Sequence, residues 1–206
     1  MNKELLITLE ILITIVVPLI ALYLRGRWPL RTIIPCLLIM PIVWYLTYSP
    51  LHELSHVFGT YLVGGKVTSV KLIPRFWAGE FGRAWITSEG IGEGWQRLIM
   101  TSFPYGLDLA CVIVALAFLR RDLARNPFVI GLSFMLLCLR PAFDFVCETI
   151  AFASGDQGDI FHIEATVGGP VTWSLLTIVI GLSLFTIARV LQRFIHTPQM
   201  KWETAT

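Results

Sequence analysis

The sequence predicts an all-α polytopic membrane bundle of about five transmembrane helices, with one small membrane-surface β-hairpin. Three observations lead there. Of 206 residues, 55% are hydrophobic and only 15% charged, with a mean hydropathy of +0.72, well outside the range of a soluble domain. The apolar residues fall into runs of the roughly 20 residues that a helix needs to cross a bilayer. A single polar insert, residues 64–94, carries β-type rather than helical composition. The whole chain, 1–206, reads as a single transmembrane domain in contact with the lipid bilayer. The net charge of +2 says little about partners, and nothing points to nucleic acid.

The spans lie near 5–24, 32–63, 95–119, 127–153 and 170–195. The first is too long for a secretory leader and lacks a small-residue cleavage site; Pro18 kinks it. A short basic loop with Arg25, Arg27, Trp28 and Arg31 follows. The stretch 32–63 is interrupted by Pro35, Pro41 and Pro50, and is too long for one straight span and short for two. One long kinked crossing is the favoured reading, and a span followed by a re-entrant helix the alternative. In the insert, Val67 to Ile73 and Arg83 to Ser88 read as paired strands, with Pro74, Gly79 and Gly82 punctuating the segment between them. Arg120 to Arg125 form a second basic loop, and Ser154 to Gly169 an acidic, glycine-rich one. Counting basic loops gives a multi-pass protein of the cell membrane, with the basic loops and C-terminal tail inside and the N-terminus and hairpin outside. Cys36, Cys111, Cys138 and Cys147 all lie inside apolar runs, as small buried hydrophobes rather than disulfide or zinc-knuckle partners.

The chemistry is concentrated in Ser49-Pro50-Leu51-His52-Glu53-Leu54-Ser55-His56. Side chains four apart on a helix share a face, so His52 and His56 can offer two imidazoles to one metal ion. Glu53 is then placed to act as general base on a water at that metal. Ser49 as N-cap and Pro50 as first helical residue would start a helix locally. Ionisable groups inside an apolar span are costly and are functional candidates by default.

Two histidines do not complete a zinc site, which takes three protein ligands and keeps a fourth position open. The candidates for the third are Asp108, Asp144, Glu148, Asp156, Asp159 and His162. Rise per residue places the His pair roughly 12–18 Å from the hairpin side and Asp144 about 14 Å from it. Asp144 therefore matches best and Asp108 second. Asp156, Asp159 and His162 lie near the surface unless their loop folds back. Asp156 stays open as a ligand because its flanking glycines allow that loop to dip inward. Against these stand plainer roles: an Asp144–Arg140 pair at i, i+4, and Asp108 orienting a histidine or bonding a neighbouring helix.

On these residues the chain resembles the site-2 protease family of intramembrane zinc metalloproteases, as a compact, distant member. The resemblance rests on His52-Glu53-Leu54-Ser55-His56 within a span, followed by Val63-Gly64-Gly65-Lys66-Val67 entering the hairpin and by two further spans. It extends over Pro50 to Trp173. It implies Zn2+ held by His52, His56 and an Asp of a later span preceded by proline, for which Pro141-Ala142-Phe143-Asp144 is the matching segment. The family's Asp-Gly is Asp144-Phe145 here, and its preceding Asn is absent. The segment around Gly155-Asp156 through Pro170-Val171-Thr172-Trp173 also resembles the C-terminal part of compact members and keeps Asp156 as an alternative. The implied function is that of a zinc-dependent metalloendopeptidase. It would hydrolyse peptide bonds of membrane-protein or membrane-associated peptide substrates, with Glu53 as the catalytic base. The alternatives are a catalytically inactive membrane adaptor of the same type and a membrane metal-binding or transport protein.

Overall fold

The structure is a computed structural model that describes residues 12–24, 28–73, 84–119 and 127–196. A π-type turn at Leu12–Val16 runs into α1 (Val17–Leu24). Then follow α2 (Leu30–Leu62), β1 (Lys66–Lys71), β2 (Trp85–Glu89) and α3 (Trp95–Leu119). Helix α4 (Pro127–Phe134) continues through a π-type turn at Met135–Leu139 into α5 (Arg140–Ala153). The short α6 (Asp159–Val167) and the long α7 (Gly169–His196) complete the chain.

Four helical stretches are long and apolar enough to cross a membrane among the described residues: Leu30–Leu62, Trp95–Phe118, Val129–Ala153 and Gly169–Gln192. Of the fifth expected span, near 5–24, only the part from Leu12 onward is described, and Leu5 to Ile11 lie outside the described residues. So do the expected basic loop Arg120 to Arg125 and residues 74–83 with Pro74, Gly79 and Gly82. The distribution of side chains is inverted relative to a water-soluble bundle. Leu38, Ile42 and Ile178 are each at least 60% exposed, while Asp108, Arg140 and Asp144 are at most 2% exposed. That pattern suits an apolar solvent and an interior held by polar contacts.

The longest helix is unbroken. Its 33 residues run from Leu30 through Pro35, Pro41 and Pro50, a length of about 50 Å at 1.5 Å per residue. This corrects the expected start at Ser49 and Pro50: both lie in the helix interior. Each proline removes one backbone donor, a loss that packing and side-chain bonds offset within an apolar bundle. Ser49 has another task, because its Oγ accepts the backbone N–H of Ala84 at 3.1 Å and ties the helix to the segment entering β2. One stripe of α2, at four-residue spacing, carries Trp44, Tyr48, His52, His56 and Thr60. Trp44 stacks on Tyr48 with centroids 5.5 Å apart, and both meet Phe143 of α5 edge-on. That aromatic clamp fixes α2 against α5 one turn before the histidines. The same hydrophobic cluster continues through Ile15, Leu19, Trp28, Ile33, Met40 and Met135, and packs the N-terminal segment onto α2 and the π-type turn at Met135–Leu139.

The two strands pair antiparallel, as the composition of the insert predicts, from Lys66 opposite Glu89 to Lys71 opposite Trp85, with an irregularity between Val67 and Ser69. The hairpin therefore rises directly from the C-terminal end of the helix that carries the His pair.

Candidate metal centre

Helix α2 presents His52 and His56 one turn apart on the buried face, and three other elements close on them. Helix α3 approaches closely at Gly59: a Cβ there would lie 3.0 Å from Met100 Cα, so a larger residue would have to push α3 away by a few tenths of an ångström. The approach matters because Met100 is four residues before Pro104. Proline has no N–H, so the Met100 carbonyl lacks its helical donor. His56 Nδ1–H donates to that carbonyl at 3.0 Å. On the other side, His52 Nδ1–H donates to Asp144 Oδ2 of α5 at 2.8 Å.

These two bonds fix both tautomers. A carbonyl and a carboxylate are acceptors only, so each Nδ1 carries the hydrogen and each Nε2 of a neutral ring presents a lone pair. The two Nε2 atoms face each other at 3.2 Å. Asp159 Oδ2, from the first residue of α6, lies 2.9 Å from His56 Nε2 and 3.3 Å from His52 Nε2. Three electron-pair donors thus form a triangle with no hydrogen atom assigned to its edges. A tetrahedral ion with ligands at 2.0–2.1 Å separates them by about 3.3 Å, close to all three edges. His52, His56 and Asp159 are also the group of ligand-type side chains whose donor atoms converge among the described residues. Two imidazoles and a carboxylate fit a divalent metal ion.

Asp159 reaches the histidines because the acidic loop does fold back. Gly155 adopts φ 87°, a left-handed conformation that glycine takes without steric cost. The chain then turns through Gly158 into α6, whose Ile160 is buried, and leaves it through Gly168, again at φ 87°. Burial by itself would push the Asp159 carboxyl up. When the two rings are protonated at Nε2 instead, their hydrogen bonds and positive charge outweigh burial and hold the group well below the usual carboxylate range.

The other candidates occupy distinct places. Asp144 sits on the far nitrogen of His52, where a carboxylate orients a ligand rather than joining the converging triangle. Asp108 of α3 faces the guanidinium of Arg140 at 2.5 Å, so the pairing weighed for Arg140 and Asp144 is made with Asp108 instead. Arg140 acts electrostatically on both carboxylates and contacts Cys111 Sγ at 3.6 Å. Asp156 is exposed in the turn before α6 and its backbone N–H bonds Ala151, outside the converging group. Glu148 is half-buried beside Gly158, and His162 packs its ring edge-on to Phe161. Glu53 is half-buried, within the electrostatic reach of His52, His56, Asp159 and Asp144. Two signals for the missed parts were present in the sequence: Pro104, which frees the Met100 carbonyl, and the glycines around Asp156, which let the next acidic residue turn inward.

No protein-family model, curated protein or solved structure matches the chain.

Proposed function

We propose that the chain is an intramembrane zinc metalloprotease of the site-2 protease type, hydrolysing peptide bonds of membrane-associated substrates. The observation that carries the reading is the triangle of His52 Nε2, His56 Nε2 and Asp159 Oδ2, with Glu53 adjacent to one of its members. His52, His56 and Asp159 would hold the ion. Two nitrogens, one oxygen and an open fourth position favour zinc in a catalytic rather than a structural role. Bound there, zinc lowers the pKa of water and polarises a carbonyl.

The remaining work falls to the chain itself. Glu53 takes a proton from the attacking water on its carboxylate and passes it to the departing amide nitrogen. Asp144 and the Met100 carbonyl hold the imidazoles in the tautomer that keeps Nε2 free. A substrate helix has its carbonyls bonded internally and must open locally before it can react. Among the described residues the hairpin has two strands, each with one open edge, on which an opened segment can pair. In this reading the protein is a multi-pass integral protein of the cell membrane.

The test is purified protein in liposomes with a panel of single-span substrates, wild type beside Glu53→Gln. The expected result is equal zinc content in both and a rate at least about 100-fold lower in the variant. Cleavage at the wild-type rate by Glu53→Gln would exclude the mechanism.

A further inference from the structure

One polar group beside the centre has no role in the account above. Tyr105 follows Pro104 on α3, and its ring meets His52 edge-on with centroids 6.0 Å apart. Phe145 stacks on it at 5.8 Å and holds the ring in place. The Tyr105 hydroxyl is completely buried and makes no hydrogen bond. A buried tyrosine hydroxyl normally finds a partner, and leaving one unpaired is destabilising. Acceptors are not scarce around it, for Asp159, Glu148, Asp144 and Asp108 all act on it electrostatically. Three of these are already turned elsewhere: Asp144 to His52 Nδ1, Asp159 to the two Nε2 atoms, and Asp108 to Arg140. A donor is thus buried next to the ring of His52 without a hydrogen-bond partner. Such an arrangement complements a ligand whose oxygen approaches the ion and keeps a lone pair for a second contact.

We propose that Tyr105 is a ligand-binding residue of the metal centre, whose Oη–H donates to the carbonyl oxygen of a substrate placed against His52, His56 and Asp159. The ligand class is a planar carbonyl compound, an amide or its hydroxamate analogue. The inference rests on the metal-binding half of the proposed function and does not depend on the proteolytic half.

The experiment uses the full chain in detergent, loaded with cobalt and titrated with acetohydroxamate, the visible absorption of cobalt being the readout. Tyr105→Phe removes a single oxygen. It is expected to take up cobalt as wild type does and to bind acetohydroxamate about tenfold more weakly, the worth of one hydrogen bond to a polarised oxygen. Equal affinity in the two proteins overturns the assignment. So does a wild-type cobalt spectrum that acetohydroxamate leaves unmoved, a result that keeps the metal centre intact. Failure of wild type to take up cobalt removes the centre and this inference with it. The tenfold difference without any detectable proteolysis supports Tyr105 and counts against the protease reading alone. Should Tyr105→Phe fail to fold, a fluorotyrosine placed at 105 gives a second readout in the zinc-loaded protein. Its fluorine resonance is expected to shift on adding acetohydroxamate, and a resonance that stays in place overturns the proposal.

Discussion

The two histidines of one motif are held by opposite means. On the His56 side the support is neutral and local to the backbone: a carbonyl of α3 that Pro104 leaves without a donor, brought close by Gly59. On the His52 side it is charged and built from three side chains, with Asp144 on the ring and the buried Arg140–Asp108 pair next to it. Both sides fix the same tautomer. Only the charged side also raises the basicity of its imidazole, as a carboxylate behind a metal-bound histidine does. The difference teaches that a buried centre needs its ligands oriented twice but its charge balanced once. A second carboxylate behind His56 would add a further negative charge to an interior that already holds Asp108, Asp144 and Asp159.

Four tests by substitution bear on that asymmetry, beginning with the group both sides share. Asp159→Ala is expected to reduce bound zinc below about a tenth of an ion per chain, since two imidazoles alone rarely hold it. Asp156→Ala, three residues earlier, should leave zinc content unchanged. Elemental mass spectrometry decides, and zinc retained in Asp159→Ala but lost in Asp144→Ala would exchange the two roles. Next in size, Arg140→Met leaves Asp108 buried without its partner and should cost about 3–5 kcal/mol. Thermal unfolding in detergent reads this, and adding Asp108→Leu should recover most of the loss; no recovery would mean that the pair matters through something other than its charge. Asp144→Asn keeps the shape and removes the charge behind His52, with zinc affinity expected to fall 10- to 100-fold in competition with a chelator. The smallest effect belongs to the neutral side. Pro104→Ala restores an N–H that competes for the Met100 carbonyl, and zinc affinity should fall by less than about tenfold. A larger loss for Pro104→Ala than for Asp144→Asn would invert the comparison.

Much of this architecture could be read from the chain. Apolar runs bounded by glycine, proline and charge gave helices whose limits agree with Leu30–Leu62, Trp95–Leu119 and Gly169–His196 to within two residues. The strands followed from β-branched composition between glycines. The helix start at Ser49 and Pro50 failed because local capping preference is weak against an apolar helix already running. The depth argument correctly brought Asp144 to the level of His52, yet depth alone cannot say which ring nitrogen a carboxylate meets. Asp159 was out of reach of that argument, which assumed that the loop stays at the surface. Its arrival depends on backbone angles at Gly155 and on burying Ile160, and neither is encoded in the spacing of acidic residues.

The position of α6 so late in the chain has a consequence for biosynthesis. Asp159 is separated from His52 by 107 residues, which a ribosome adds in roughly 5–20 s. Throughout that interval the His pair is already made while its third partner is not. A chain interrupted before α6 carries the motif but not the triangle, and so stays without the full set of donors. Competence to hold an ion at that triangle thereby requires the chain to have been synthesised through α6 and folded back on itself.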